Sequence, residues 1–598
     1  MSSRTRSGSG PWRSSGSARS RDSGWESARR GQRMSGGARG ALAGATAGVV
    51  AVALMLRGTF TAGFPVVAVA LWERTLRMLP MEVFGFLIVR LKFLAKPLAF
   101  WGMLGTVVAA WALLGYLLGR ASWGRPAVGQ SGAAGGGRSG AVRGAAVTFL
   151  VAFPATFLPL VGLTFNPGTE YMRGRLQGMG VLEPDPATVA ARVLGALAVY
   201  AGLFALLVAG SVLWSSARRL EVAGGAGRSG HSGSADGGNR ARRELVGRWL
   251  VLAVSTLVGT SAWQWLVAAA RSPAVARSPA TARSPAQARS QAGAQSVFAR
   301  VRGLPPEVTP NGQFYVVSKN PPGFDPVLRA DRWRLEVALR PDRPLVLALD
   351  DLKAMPSVRR PHTLECISNE VGGDLISNAY WRGVRLRDVV ARAGGLPLTA
   401  IKLVFRCADG YTESLPVAEA LHPDTLLVYE MNGEPLPPKH GFPLRLLVPG
   451  LFGMKNPKWI TRIEAVDFDF QGFWERSGWS DQAVVQTMSK FTVPSPLRAK
   501  AGEEVGLGGV AYAGARGIRA VEVSPDDGKT WLPAQVKAPL GPYTWVLWAM
   551  VWKPAGPGEH RVRVRARDGA GVLQTAQPSP PLPDGATGQH IIRIRVGT

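Results

Sequence analysis

Cysteine and histidine are both scarce in this chain. Only two cysteines, Cys366 and Cys407, occur in 598 residues. That excludes a disulfide-stapled scaffold, a thiolate zinc cluster and a four-thiolate iron–sulfur site. Six histidines stand at positions 231, 362, 422, 440, 560 and 590. None lies inside a long apolar run, which argues against a b-type haem held between membrane helices. Acidic residues are also few: 40 Asp and Glu face 70 Lys and Arg, a formal net charge of +30. The excess is unevenly placed. Residues 1–299 hold 33 Lys and Arg against 10 Asp and Glu, and the remainder 37 against 30. The basic half is also the half with the long apolar runs, as in a membrane protein, so no nucleic-acid partner is expected. A hydrophobic fraction of 46% excludes a wholly disordered chain, and the length suggests three or more folding units.

Residues 1–38 are rich in Ser, Gly and Arg and read as a disordered basic tail. Residues 39–270 contain five stretches close to the roughly 20 apolar residues a bilayer core demands. They are 39–56, 97–119, 145–165, 190–214 and 249–270, none with an ionised side chain near its centre. An α-helical membrane domain of five transmembrane helices is expected, in contact with the lipid bilayer. Arginines cluster in the tail, in 120–144 and in 215–248, which the positive-inside rule assigns to the cytoplasm. Five crossings then leave everything after residue 271 outside. Residues 57–96 complicate this, since they carry six basic residues yet would also lie outside; "RMLPMEVFGFLIVRLKFLAK" suits an interfacial amphipathic helix. Uncharged spans favour an anchor or a partner surface over a transporter. Residues 271–299 contain the units "RSPAVA", "RSPATA", "RSPAQA" and "RSQAGA", an extended spacer without a core.

From 300 to 495, short β-type runs such as "WRLEVAL", "IKLVF" and "FPLRLLV" alternate with turns and short helices, predicting an α+β domain. From 496 to 598, "AVEVS", "TWVLWAMVW" and "HRVRVRAR" predict an all-β, immunoglobulin-like sandwich. The candidate chemistry lies in the first of these domains. Cys366, in "HTLECISNEVGG", could be a small buried hydrophobe, a nucleophile or a soft ligand for a transition metal. His440, Arg445, Lys455 and Lys458 fall within "KHGFPLRLLVPGLFGMKNPKWI". Such a cluster in a frame of Gly and Pro suits a phosphate or another anion, or else forms a solvated basic edge.

Taken together, "HGFPLRLLVPGLFGMKNPKWI", "LLVYEMNGEPLP", "ECISN" and "NAYWRGVRLRDVV" resemble the sulfite oxidase family of molybdopterin enzymes over about 305–490. The strands that follow, with "VEVSPDDGKTW" and "YTWVLWAMVW", resemble that family's C-terminal domain, often a dimerisation module. The resemblance implies one molybdenum–pyranopterin cofactor with Cys366 as the thiolate ligand and catalytic centre. A soft thiolate suits a high-valent oxo-metal held mainly by a dithiolene. It further implies cofactor contacts at His440, Arg445, Asn456 and Lys458, with Lys455 beside them. Asn311, Phe314 and Tyr315 match the family's first cofactor segment, and Cys407 falls near another cofactor-side position, where packing is the favoured role. The implied reaction moves two electrons and one oxygen atom between a small substrate and water as molybdenum cycles between oxidation states VI and IV.

The family's substrate arginine five residues after the metal cysteine is here Val371, and Val317 and Lys319 replace an arginine and a histidine. The active-site tyrosine has no clear counterpart, the nearest aromatic being Phe473. Sulfite is therefore a weaker expectation than a sulfoxide or another oxo-substrate. The chain lacks a cytochrome b5-type domain and any CxxCH motif, so no haem of its own is expected and electrons pass to or from a separate quinone or cytochrome. A domain that folds around its cofactor in the cytoplasm and works outside implies the twin-arginine translocase. Arg242 and Arg243, in "RARRELVGRWLVLAV", form one candidate signal and Arg29 with Arg30 a weaker one. The expectation is a multi-pass protein of the cytoplasmic membrane with an extracytoplasmic catalytic domain, alone or as a homodimer. The rivals are a cofactor-less binding module on the same anchor and a transporter with an outer sensor domain.

Overall fold

The computed structural model describes residues 36–61, 67–78, 95–123, 146–158 and nearly all of 297–598, with Val83 and scattered positions between 161 and 210. Nearly all of the basic tail, the stretch 249–270, both arginine pairs and the repeat at 271–294 lie outside the described residues. The chain divides into two compact units. In the first, the part of helix Gly36–Thr61 up to Gly48 packs on the part of helix Ala95–Trp123 from Val108 onward, through small residues. A Cβ at Gly44 would meet the Trp111 carbonyl oxygen at 2.2 Å, and one at Gly48 the Val108 Cα at 3.0 Å. Glycine at positions 44 and 48, four residues apart, is what lets the two helix backbones approach so closely. Among the described residues one helix, Pro97–Leu117, is long and apolar enough to cross a membrane; Gly44–Ala53 and Ala146–Leu158 are apolar but shorter.

The second unit contains helix Val67–Met78 and the globular half. Residues 300–495 are chiefly β, with helices as short as Leu349–Lys353 and Leu386–Arg392. One five-stranded sheet runs in the order Leu345–Leu347, Leu335–Ala338, Ile460–Val466, Lys402–Cys407, Thr412–Pro416. Its one parallel pairing sets Glu336 opposite Arg462. The second sheet pairs Ser357–Glu365 with Ile376–Arg385, and that strand with Leu426–Met431, which also holds Arg445–Leu447. Leu403, Phe405 and Cys407 point from alternate positions of one strand into a core with Trp333, Val389 and Leu446. Removing a side chain the size of Phe405 from water contributes about 1.5–3 kcal/mol.

Eight further strands share one apolar core that includes Phe491, Leu507, Val523, Trp548, Val564 and Ile594. Gly558–Asp568 shows why the sequence forms a strand here. Val562, Val564 and Ala566 point inward, while Arg561, Arg563, Arg565 and Arg567 alternate outward. The outward cations are balanced across the sheet, Arg565 on Glu522 at 2.7 Å and Arg563 on Asp527 at 2.5 Å. Strand Leu532–Val536 pairs with both Ile518–Ser524 and Val546–Trp552 and so joins the two halves of the sheet.

Gly383 sits at a bulge where two strands of the second sheet come closest. A Cβ there would lie 2.0 Å from the Leu427 carbonyl oxygen and 2.5 Å from the Val428 Cα, both backbone atoms that cannot rotate aside. Gly383→Ala is therefore expected to destabilise by about 1–3 kcal/mol, read as a lower thermal midpoint of the purified protein. An unchanged midpoint would show that the strands can spread at this bulge.

Candidate functional site

Strand Ser357–Glu365 delivers the chain into a tight loop that begins at Cys366. The Cys366 N–H donates to the Leu375 carbonyl at 2.9 Å, and the Asn369 N–H donates back to the Cys366 carbonyl at 2.9 Å. The Asn369 side chain staples the loop, its amide donating to Glu365 Oε1 (2.9 Å) and its oxygen accepting from the Leu375 N–H (3.0 Å). The C-terminal strands hold the far side. Lys490 Nζ donates to the Gly373 carbonyl at 2.6 Å and pairs with Asp374 at 2.8 Å. The His590 ring lies against Gly372, where any Cβ would meet it at 2.5 Å. A loop fixed from both sides keeps the Cys366 thiol, 3.0 Å from the Ser368 hydroxyl, on the wall of a cavity of about 170 Å³.

The facing wall comes from "KHGFPLR" and "NPKW". Gly441 takes φ +110°, and a Cβ there would press on the Cβ atoms of Lys458 and Arg445 at 3.0 and 3.1 Å, so glycine lets these two side chains close together. The Arg445 guanidinium donates to the His440 and Asn456 carbonyls, each at 3.2 Å, and lies 5.1 Å over the Trp381 ring. It is buried, its Nε has no partner, and no carboxylate pairs with it among the described residues. Burial draws its pKa down to about 10, so it keeps its charge at neutral pH. Burial, and then Arg445, hold His440 down at about 4, so its ring is neutral. That ring stands edge-on to Phe314 at 5.3 Å. Lys458 Nζ donates to the Val317 and Lys439 carbonyls at 3.1 and 3.0 Å.

The structure thus brings Cys366, Phe314, Tyr315, His440, Arg445, Asn456 and Lys458 to one cavity. Three other expected contacts stand off it. Asn311 lies behind His440, its carbonyl 3.3 Å from His440 Nε2. Cys407 is buried in the core, where burial pushes its thiol pKa up. Lys455 requires correction as a cofactor neighbour. Its ammonium turns into the protein and meets Glu413 at 2.9 Å, Glu475 at 2.6 Å and Asp481 at 2.9 Å. Asp409, Tyr411, Trp474 and Trp479 line the cavity without having been singled out. Trp474 and Trp479 stood in view in "GFWERSGW", but only the tertiary fold carries them to the cavity wall.

One wall residue reaches outside the globular half. Lys319 lines the cavity, and its ammonium pairs with Glu73 of helix Val67–Met78, both side chains almost wholly buried. The neighbouring Trp72 donates from Nε1 to the Lys319 carbonyl at 2.9 Å.

Residues 323–474 match the family model described as oxidoreductase molybdopterin binding domain, and 482–580 that of the Mo-co oxidoreductase dimerisation domain. An uncharacterized oxidoreductase of Bacillus subtilis is 36% identical over 161 residues, 27% of this chain and 79% of its own. The chain belongs to the sulfite oxidase family of molybdopterin oxidoreductases. Human mitochondrial sulfite oxidase is 34% identical over 309 residues, 44% of this chain and 56% of that enzyme, so the chain spans about half the length of the curated relative. The crystal structure of the sulfane dehydrogenase SoxCD from Paracoccus pantotrophus is 25% identical over 48% of this chain and 81% of its own, with a TM-score of 0.42.

The residues of this oxidoreductase fit the cofactor the family implies. Among the described residues no three His, Cys, Asp or Glu assemble a metal cage. A single thiol across a cavity from a buried guanidinium that faces no carboxylate suits a metal whose other ligands arrive with an anionic organic group.

His590 makes the loop behind Cys366 sensitive to acid. Its Nδ1 accepts from the Phe491 N–H at 3.1 Å, which only an unprotonated Nδ1 can do. Burial, and then Lys490, lower its pKa from 6.5 to about 4. A depressed pKa contributes stability that is complete above the unfolded value and is lost as pH falls through the folded one. Between pH 7.5 and pH 5 this residue alone should cost about 1–2 kcal/mol. Urea unfolding at the two pH values should show a smaller difference in His590→Gln; an equal difference would place the acid sensitivity elsewhere.

Proposed function

We propose that this molybdopterin oxidoreductase is a multi-pass protein of the cytoplasmic membrane whose catalytic half works on the outer side. It would transfer an oxygen atom to or from a small sulfur-containing or other oxo-substrate. The observation that carries the catalytic part is the Cys366 thiol facing the uncompensated Arg445 guanidinium across one cavity. When bound, the cofactor supplies two-electron oxygen-atom chemistry at its metal. Cys366 would ligate that metal. Arg445 would meet an anionic oxygen of the organic group, with Lys458 beside it. The neutral His440 ring packs on Phe314 and fills the wall at no cost in buried charge. Trp474 and Trp479 line the cavity and would help to keep water from the reacting atoms.

Support for the anchor comes from helix Pro97–Leu117 and from the large apolar side chains exposed on the helical part, among them Leu98, Trp101, Leu113, Leu117, Leu150 and Leu158. Five spans, 39–56 to 249–270, complete the reading. The pairing of Glu73 with Lys319 favours residues 57–96 and the globular half on one side of the membrane, despite the basic residues in that loop. Electrons would pass to or from a separate quinone or cytochrome. The domain at 482–580 would join two copies, and Arg242 with Arg243 would direct export through the twin-arginine translocase.

Metal analysis of the full chain, made in a host that synthesises the cofactor, tests the first part. About one molybdenum per chain is expected, with a marked loss in Arg445→Met and an altered metal spectrum in Cys366→Ala. A folded wild-type protein without molybdenum would overturn the reading. The export route has its own test. Changing Arg242 and Arg243 to lysine should leave the globular half inaccessible to protease added outside the cell, and full accessibility would rule out this arginine pair.

A further inference from the structure

Four residues that line the cavity carry a side-chain hydroxyl, and three of these hydroxyls are already engaged. Ser318 donates to Asp325 at 2.6 Å, and the Ser368 hydroxyl lies 3.0 Å from the Cys366 thiol. The Tyr411 hydroxyl lies 2.8 Å from Glu413 and 2.9 Å from the Met454 carbonyl. The fourth belongs to Tyr315. It has no hydrogen-bond partner among the described residues, nor do they enclose it. One further donor of the wall, Trp479 Nε1, is also unpaired, but protein atoms close it off. Tyrosine hydroxyls inside proteins usually find a partner, so an open one in a cavity points to a ligand.

The fold fixes this hydroxyl without bonding to it. The Tyr315 N–H donates to Ser377 Oγ at 3.2 Å, which ties its backbone to strand Ile376–Arg385. Its ring stacks on Phe314 with the centres 5.5 Å apart, and Phe314 stands edge-on to both Trp381 and His440. Gly453 leaves room at the tip. A Cβ there would lie 2.8 Å from the Tyr315 hydroxyl and 3.2 Å from the Glu365 carbonyl oxygen. The hydroxyl and the residue before Cys366 are thus neighbours across the space of one methyl group. Tyrosine keeps its proton at neutral pH, and burial, then the Cys366 thiol, push its pKa up further. The group is an uncharged donor with its hydrogen unspent.

We propose that Tyr315 is a catalytic residue: its hydroxyl donates a hydrogen bond to the oxygen atom that the substrate gives up or receives. This rests on the oxygen-transfer reading above, and it moves Tyr315 from the cofactor's contacts to the substrate's. In a sulfoxide or an N-oxide that oxygen carries the partial negative charge. A donor already aimed at it, in a site with little water, stabilises that charge better than solvent does.

Dimethyl sulfoxide and trimethylamine N-oxide test it, each titrated by calorimetry into the full chain in detergent. The metal is kept oxidised, so that neither probe can pass on its oxygen. Tyr315→Phe should bind both probes roughly three- to tenfold more weakly than wild type, the loss of one hydrogen bond. Its molybdenum content and thermal midpoint should be unchanged, since the hydroxyl bonds to nothing in the fold. Molybdenum lost from Tyr315→Phe would give the hydroxyl to the cofactor and overturn the proposal. Equal affinities would overturn it too, as would no binding of either probe to a wild type that holds molybdenum. A wild type without molybdenum is the failure of the oxygen-transfer reading itself, seen before any titration, and the proposal falls with it. If Tyr315→Phe is recovered unfolded, Gly453→Ala crowds the hydroxyl aside and carries the same comparison. Weaker binding at unchanged molybdenum content then supports the proposal, and unchanged affinity overturns it.

Discussion

A guanidinium wholly removed from water and facing no carboxylate is among the costlier things a protein can build. Arg445 comes close to that condition: it is buried, and no carboxylate pairs with it among the described residues. The surrounding chain is arranged to hold it. Two carbonyls take its terminal nitrogens, the Trp381 face takes its plane, and Gly441 yields the space that brings Lys458 alongside. None of these partners carries a negative charge. On the function proposed above, that cost is offset when an anionic group binds, so the position would be a binding site rather than a structural ion pair.

Lys455 is the contrast that gives this weight. It is as deeply buried and lies only ten residues further along the same glycine-rich segment. Three carboxylates and the Ser414 carbonyl surround it, so its charge is already satisfied and its pKa is driven up by those neighbours against the effect of burial. Its work is to tie Thr412–Pro416 to the loop at 475–481. Two cations from one motif thus have opposite meanings, and the presence or absence of a buried carboxylate separates them.

That separation also marks what could be read from the sequence. Cys366, His440, Arg445 and Lys458 were legible because loop chemistry is local: glycine, proline and a cation within a few residues define a cradle wherever it folds. The strand Gly558–Asp568 was legible for a similar reason, since its alternating arginines and valines state both the period and the face. Lys455 was misplaced because spacing along a loop does not say into which side a chain turns. Trp479 and Glu73 were out of reach because their relevance depends on contacts between segments far apart in sequence, as between helix Val67–Met78 and Lys319. Cys407 showed the same limit. A thiol in a strand whose two faces are both covered reads the same whether or not a cofactor lies nearby.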